Sequence, residues 1–517
     1  MRFFNIIALI LILLLSACVK DKGNYDYVDI NEVAIAGLAD NYAAIYTVDT
    51  LRIEPTIHFS KPGASAESVS YYWILYKGTT VIDTIGRSAR LEYKVEVAPD
   101  TYTLFLRVVD NETGVAWKAS TTLTVGTLYT KGIMLMGTNE NGYAEMDMIT
   151  MVSDTLVVKG ILGRSGLPAL LDPVCAQHVG GNTTTPNYVR LWVMTRSGSY
   201  FLDRLTMTGS TDNTFAKITV TTEFPNKESI IPILYAPQIT ARSGTTGNTS
   251  ARAILTTDGD IFPTHTFLAG GDYYANPINR VESDYNHRLK AAPYFWYSIS
   301  NMNSIMWYDT ENERFMNYAN FGVASASTVP TDNAGDIFPW DQSSVGRTLV
   351  YGENTRNTDG GSTEGNSFAI MKDASNQYYI YKFFARGATP QKRDFYTVSP
   401  IAVDFDKADH YAFSSNRSVV FYSVGNRLYA YDYNKGFEKI YEFPELATDE
   451  ITMLKFDTEI DPATNSLYIA TYNGTTKGRL RRFMVGTNPD VVEITPVANA
   501  DWDELVKIVS MSWRAYN

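Results

Sequence analysis

The chain opens on an unbroken apolar run, Ile6 to Leu15, preceded by one positive charge at Arg2. A basic start followed by about ten apolar residues has the layout of a secretory signal peptide. The run is too short to cross a bilayer, which takes roughly 20 residues. It ends in Leu15-Ser16-Ala17-Cys18, small residues before a cysteine in the lipobox pattern. Residues 1–17 are therefore predicted to be removed, and Cys18 to carry the acyl chains. Each buried methylene contributes about 0.8 kcal/mol, so several chains make a lasting anchor. Residues 18–28, polar and containing Gly23, read as a tether.

From residue 29 to about 126 the pattern changes to short alternating runs. Leu51 to Phe59 alternates apolar and polar positions, Val69 to Tyr76 is a second run, and Arg90 to Val97 a third. Tyr102 to Asp110 follows the turn Ala98-Pro99-Asp100, and Val115 to Val125 closes the unit. About seven short strands in roughly 100 residues, with no helical period, predict an immunoglobulin-like sandwich.

Residues 127–517 carry a weaker repeat: a turn with Gly or Asn, then an aromatic strand, often ending in Asp. It runs through Gly198 to Asp203, Gly259 to Phe262, Asn303 to Asp309, Asn376 to Tyr381, Gly425 to Asp432 and Asn465 to Ile469. Another strand precedes each, as Val419 to Ser423 precedes Gly425. A strand, a tight turn and an aromatic strand is the inner hairpin of a propeller blade. Matches lie about 40 to 70 residues apart, and Gly132 to Asp147 adds a first blade, predicting seven. The last strand, Val506 to Trp513, is expected to pair with the first blade and remove the free sheet edge. The predicted class is all-β, a sandwich followed by a β-propeller. A second array of sandwiches is the alternative.

Composition agrees with a β-rich chain: Tyr 35, Phe 24 and Trp 8. Without Arg2 the chain keeps 43 Lys+Arg against 56 Asp+Glu, a net charge of −13. That balance argues against nucleic acid, which requires basic patches. Cys175 is the only other cysteine, so a lipidated Cys18 leaves no intrachain disulfide.

Several residues of the first domain point to a family. Tyr72-Trp73 on one strand, and Pro99-Asp100-Thr101-Tyr102 running into Val108-Val109-Asp110-Asn111, resemble the PKD domain. The resemblance implies that Trp73 packs in the core and that Tyr102 holds the corner. The family's W-x-F-G-D-G signature is absent, since the strand runs Trp73-Ile74-Leu75-Tyr76-Lys77-Gly78. With the lipobox and tether, the chain resembles the PKD-like family lipoproteins of Bacteroidota. That likeness implies an outer-membrane protein, lipid-anchored at the cell surface. It also implies an accessory role beside a SusC/SusD-type nutrient importer, binding glycan or peptide.

No H-E-x-x-H, G-x-S-x-G or P-loop motif occurs, and five histidines (58, 178, 265, 287, 410) stand singly. The expectation is therefore a non-catalytic protein without a cofactor. Asp404-Asp406-Asp409 and Asp457-Glu459-Asp461 are the best carboxylate clusters, each a Ca²⁺ candidate but lacking the pattern of an EF-hand loop. Candidate ligand contacts are the aromatics of a long loop, Tyr273, Tyr274, Tyr285 and Trp296, together with Trp340. Their faces suit sugar rings or extended peptides; the competing reading is packing between blades. Asn354 to Asn366, with three glycines, reads as a mobile loop. Two other roles stay open: a propeller hydrolase or lyase acting on polysaccharide, and a purely structural partner of the importer.

Overall fold

The computed structural model describes residues 30–152, 155–179, 186–238, 250–446 and 448–514. The expected signal peptide, the expected anchor Cys18 and the expected tether lie outside the described residues. The chain divides into two compact units after Val125.

The first unit is a β-sandwich. Its larger sheet has five strands in the order Asn41–Ile45, Ala116–Gly126, Asp100–Asp110, Val69–Lys77 and Thr80–Gly86. Two hairpin-like pairs complete it, Val33–Ala36 with Thr56–Phe59 and Thr50–Ile53 with Leu91–Lys94. Successive side chains of a strand point to opposite faces, and here only one face is fully buried. Val69, Tyr71, Trp73 and Leu75 are inside, as are Tyr102, Leu104, Leu106 and Val108 of the neighbouring strand. Trp73 is completely buried and its indole N–H donates to the Ser88 carbonyl at 3.0 Å. The Tyr102 hydroxyl donates to the Ala98 carbonyl at 2.7 Å, closing the corner before its strand.

The second unit is a β-propeller. Its described strands form seven sheets in chain order, the second from strands within 173–202, the third within 232–265, the fifth within 347–397, the sixth within 410–442 and the seventh within 450–505, and the first sheet is completed by the last strand. That sheet runs Thr155–Val158, Ala144–Met151, Gly132–Thr138, Lys507–Arg514, every pair antiparallel. The fourth sheet is reduced to Ile305–Asp309 and Arg314–Tyr318, extended by single bridges from Trp296 to Met306 and from Asn317 to Thr328.

Why these residues make a ring follows from their alternation. In Gly132–Thr138, Met134 and Met136 pack towards the second sheet while Ile133 and Leu135 pack towards the seventh. In Val419–Val424, Val420 and Tyr422 face the fifth sheet, and Val419 and Phe421 the seventh. Both faces of these inner strands are covered, so they read as near-continuous apolar runs. Seven apolar clusters result, one between each sheet and the next, and the cluster joining the seventh sheet to the first closes the ring. Large side chains fill the widening wedges: Trp192, Trp296, Trp307 and Trp340 are all buried in these clusters or against them.

Candidate functional site

The innermost strands of the ring enclose a cavity of about 280 Å³. Five sheets contribute to its wall: Leu234 to Gln238 from the third, Pro293 to Tyr297 from the fourth, Tyr351 to Asn354 from the fifth, Met453 to Lys455 from the seventh, and Val509 to Met511 from the first. Val509 is 39 % exposed although it lies on an innermost strand, so the cavity opens to solvent.

Local packing sets the position of each wall group. Gly352 lies flat against Trp296, where a Cβ would come within 2.5 Å of the indole Cζ2. The Trp296 indole N–H reaches across to the Phe368 carbonyl at 2.9 Å. This close approach holds the stretch Pro293 to Tyr297 against the fifth sheet in place of a regular strand. Asn354 fixes it further, accepting from Tyr297 N–H at 3.0 Å and donating to the Phe295 carbonyl at 2.8 Å. The Tyr297 hydroxyl accepts from Gln238 N–H at 2.7 Å, and the Tyr294 ring meets the Tyr351 ring edge-on at 5.7 Å.

Glu353 is the single carboxyl among the lining residues. Its Oε2 accepts from Phe413 N–H at 2.8 Å and from the Tyr351 hydroxyl at 3.3 Å. Burial nevertheless dominates, because a charged carboxylate loses hydration that two donors do not replace. It pushes the Glu353 carboxyl up to about 8, so this side chain is mostly neutral at pH 7. Burial raises the Tyr351 and Tyr297 hydroxyls as well. Lys455 opposes this only through space, its ammonium donating instead to Glu459 Oε1 and to the Met511 carbonyl, each at 2.9 Å.

The aromatic candidates separate into two groups. Tyr274 and Trp296 are buried between sheets and line neither cavity, which corrects their reading as contacts; Trp340 is buried as well, but it lines a cleft beside Lys392. Tyr274 instead donates from its hydroxyl to Asp272 at 2.8 Å. Tyr273 is half-buried and Tyr285 exposed, and neither lines the cavity. Arg280 stacks over the Tyr285 ring at 4.6 Å.

Nor do the carboxylate clusters converge. Asp404 pairs with Lys407, Asp406 accepts from Asn376, and Asp409 accepts from Gly425 N–H. Asp457 is consumed by its own turn, accepting from the N–H groups of Glu459, Ile460 and Asp461. Among the described residues no group of three or more His, Cys, Asp or Glu is arranged to hold a metal ion. His178 is buried and its nitrogens have no hydrogen-bond partner among the described residues; burial first, then Arg514, keeps it neutral. The segment expected to be mobile, Asn354 to Asn366, is pinned across sheets. Arg356 donates to the Thr458 carbonyl at 2.7 Å and to Ser300 Oγ at 3.2 Å, and Asn357 donates to the Ser415 carbonyl at 3.1 Å.

A larger cleft of about 530 Å³ lies between Thr328 to Asp336 and Ala388 to Lys392. Its one cation among the described residues, Lys392, is neutralised by Asp332 and Asp336. The central cavity, with its carboxyl free of any ion pair among the described residues, is the better candidate site.

Residues 18–165 match the PKD-like family model. The match runs past Val125 into the first sheet of the ring. No curated protein matches the chain. Among solved structures, a quinonprotein alcohol dehydrogenase-like protein from Bacteroides thetaiotaomicron is 14% identical with a TM-score of 0.36; the alignment covers 94% of this chain and 99% of that one. The WD40 domain of SCAP from fission yeast is 7% identical with a TM-score of 0.30, covering 64% of this chain and 77% of that one. The propeller assignment rests on the sheet order and the seven closing clusters. Among the described residues no helix is long and apolar enough to cross a membrane.

Proposed function

For a chain whose first domain is PKD-like, we propose a lipid-anchored accessory protein of the outer membrane, displayed at the cell surface. It holds a glycan or peptide ligand for a SusC/SusD-type importer without transforming it. Cys18 is the anchor, the tether and sandwich are the spacer, and the ring carries the ligand. The observation behind this reading is the central cavity, where tyrosines, one carboxyl and one ammonium converge from separate sheets. Binding sites are typically concave and apolar with a few converging polar groups. A glycosidase of the usual kind needs two carboxylates about 5 to 9.5 Å apart. The cavity wall carries one, which favours binding over hydrolysis.

Calorimetry of the purified protein against oligosaccharides and short peptides tests this. Heat from one ligand class, without new reducing ends or amines, is expected. Release of either product would replace the reading with an enzyme. No heat, but copurification with the importer, would leave a structural partner. The anchor is tested separately: Cys18→Ser should move the protein to the soluble fraction, and its retention on membranes would remove the anchoring claim.

A further inference from the structure

Both hydrogen bonds to Glu353 fall on one oxygen, Oε2. Oε1 accepts none among the described residues, and no described cation touches the carboxyl. Lys455 is the only cation on the described cavity wall, and its ammonium is held by Glu459 and the Met511 carbonyl. The other titratable groups around the cavity are phenols: Tyr351 on the same strand, Tyr294 and Tyr297 from the fourth sheet, and Tyr235 from the third. The first sheet adds Val509, Ser510 and Met511, none of them charged. At about 280 Å³ the space is at the small end for ligand pockets, which run from about 300 to 1,000 Å³. It suits one small head group and excludes a length of polysaccharide.

We propose that this cavity receives the ammonium group of a small ligand, a peptide amino terminus or an amino sugar, paired with Glu353 and flanked by Tyr294, Tyr297 and Tyr351. The inference rests on the reading of the cavity as the ligand site, and it names the chemistry that site selects. A carboxyl oxygen without a partner supplies the ion pair, and tyrosine faces attract cations within about 6 Å of their centroids. The proton balance is explicit. Glu353, mostly protonated at neutral pH because burial outweighs its two donors and the through-space pull of Lys455, meets a charged R–NH₃⁺. Pairing favours the carboxylate, so the acid proton leaves to solvent while the ligand keeps its own.

Calorimetry at pH 6.5, where both the acid and the amines are protonated, reads this directly. The probes are glycylglycine amide and glucosamine, each against its N-acetyl counterpart, in two buffers of different ionisation heat. At least one amine should bind about tenfold or more tighter than its acetylated form, with release of about one proton. Which of the two does so assigns the source, peptide or amino sugar. Glu353→Gln should abolish the preference and the proton release. Its fold is checked by circular dichroism, and an amide oxygen there still accepts from Phe413 N–H. Equal affinity for amine and acetylated probe, no proton release, or no binding of either amine overturns the ammonium assignment. Ser510→Phe fills the cavity. Amine binding that survives it unchanged places the ligand elsewhere and overturns the cavity reading itself.

Discussion

The two units use similar apolar strands to opposite ends. In the sandwich strand Val69–Lys77, burial alternates: Val69, Tyr71, Trp73 and Leu75 are inside, and the residues between them are partly open. In the ring strand Val419–Val424, every residue but the last is buried. A sheet with one covered face needs a pattern of period two; a sheet between two others needs apolar groups on both sides. The difference extends to charge. The sandwich carries its ion pairs outside, as in Arg52–Glu92, with side chains 57% and 59% exposed. The ring has exposed pairs too, but it also buries some, as in Arg252–Asp272, at 2% and 0%. The sandwich is thus a compact unit with its own core, whereas the ring has inward-facing polar groups that its geometry leaves available for a site.

The largest break in this contrast comes from Asp272. Its Oδ1 accepts from Arg252 at 2.9 Å and from the hydroxyls of Tyr235 and Tyr274 at 3.1 and 2.8 Å. Asp272→Ala removes the carboxylate and leaves a buried guanidinium without that counter-charge. Breaking such a pair costs about 3–5 kcal/mol. Urea unfolding of the full chain should show the ring transition moved to much lower denaturant, with the sandwich transition in place. An unmoved ring transition would mean that the buried pair is dispensable.

What could be read from the chain follows the same division. Trp73 and Tyr102 were legible because their surroundings are local: a strand of period two, and a Pro99-to-Tyr102 corner whose hydroxyl reaches back four residues. The ring hairpins were legible through their turns, such as Gly425 between Val419–Val424 and Arg427–Asp432. Aromatic residues between those hairpins misled. Tyr274 and Trp296 sit in stretches without regular strand pattern, which resemble ligand loops, but they fill the wedges between sheets. Glu353 had no local signal at all. The groups that define its setting, Phe413 and Lys455, lie 60 and about 100 residues further along the chain. Only ring closure brings them together.

Glu353 also gives the ring a pH dependence that reaches into the neutral range. Its carboxyl rises from an ordinary value of 4.5 to about 8 on folding. The folded state therefore holds this proton more tightly than the unfolded chain. Stability is unaffected below about pH 4.5, falls as pH rises towards 8, and levels off above. A tenfold difference in proton affinity corresponds to about 1.4 kcal/mol, so the whole window is worth a few kcal/mol. Glu353→Gln should flatten the decline of the ring transition between pH 5 and 8. A slope unchanged by the substitution would show that the carboxyl is solvated.

A smaller effect is expected at the sandwich corner. Tyr102→Phe keeps the buried ring and deletes the hydroxyl that bonds the Ala98 carbonyl. A single hydrogen bond is worth about 0.5–1.5 kcal/mol net. The sandwich transition should shift by about that amount, with the ring transition as the internal reference. A loss of several kcal/mol would make the corner a determinant of the fold rather than a brace.

The smallest effect sharpens the contrast from the other side. Arg52 donates to Glu92 through Nε at 3.0 Å and Nη2 at 2.9 Å, a good geometry for a cross-strand pair. Both side chains are nevertheless more than half exposed, so water already solvates each charge. Exposed pairs typically contribute about 0–1 kcal/mol and weaken with salt. Glu92→Ala should therefore leave the sandwich transition within about 1 kcal/mol of the parent, and the difference should shrink further at high salt. Set beside the loss expected for Asp272→Ala, this contrasts an exposed with a buried pair at the same 2.9 Å, the buried acid holding two tyrosine hydroxyls besides its arginine. If Glu92→Ala proved as costly as Asp272→Ala, distance rather than dielectric would govern these pairs, and the contrast between exposed and buried pairs would not hold.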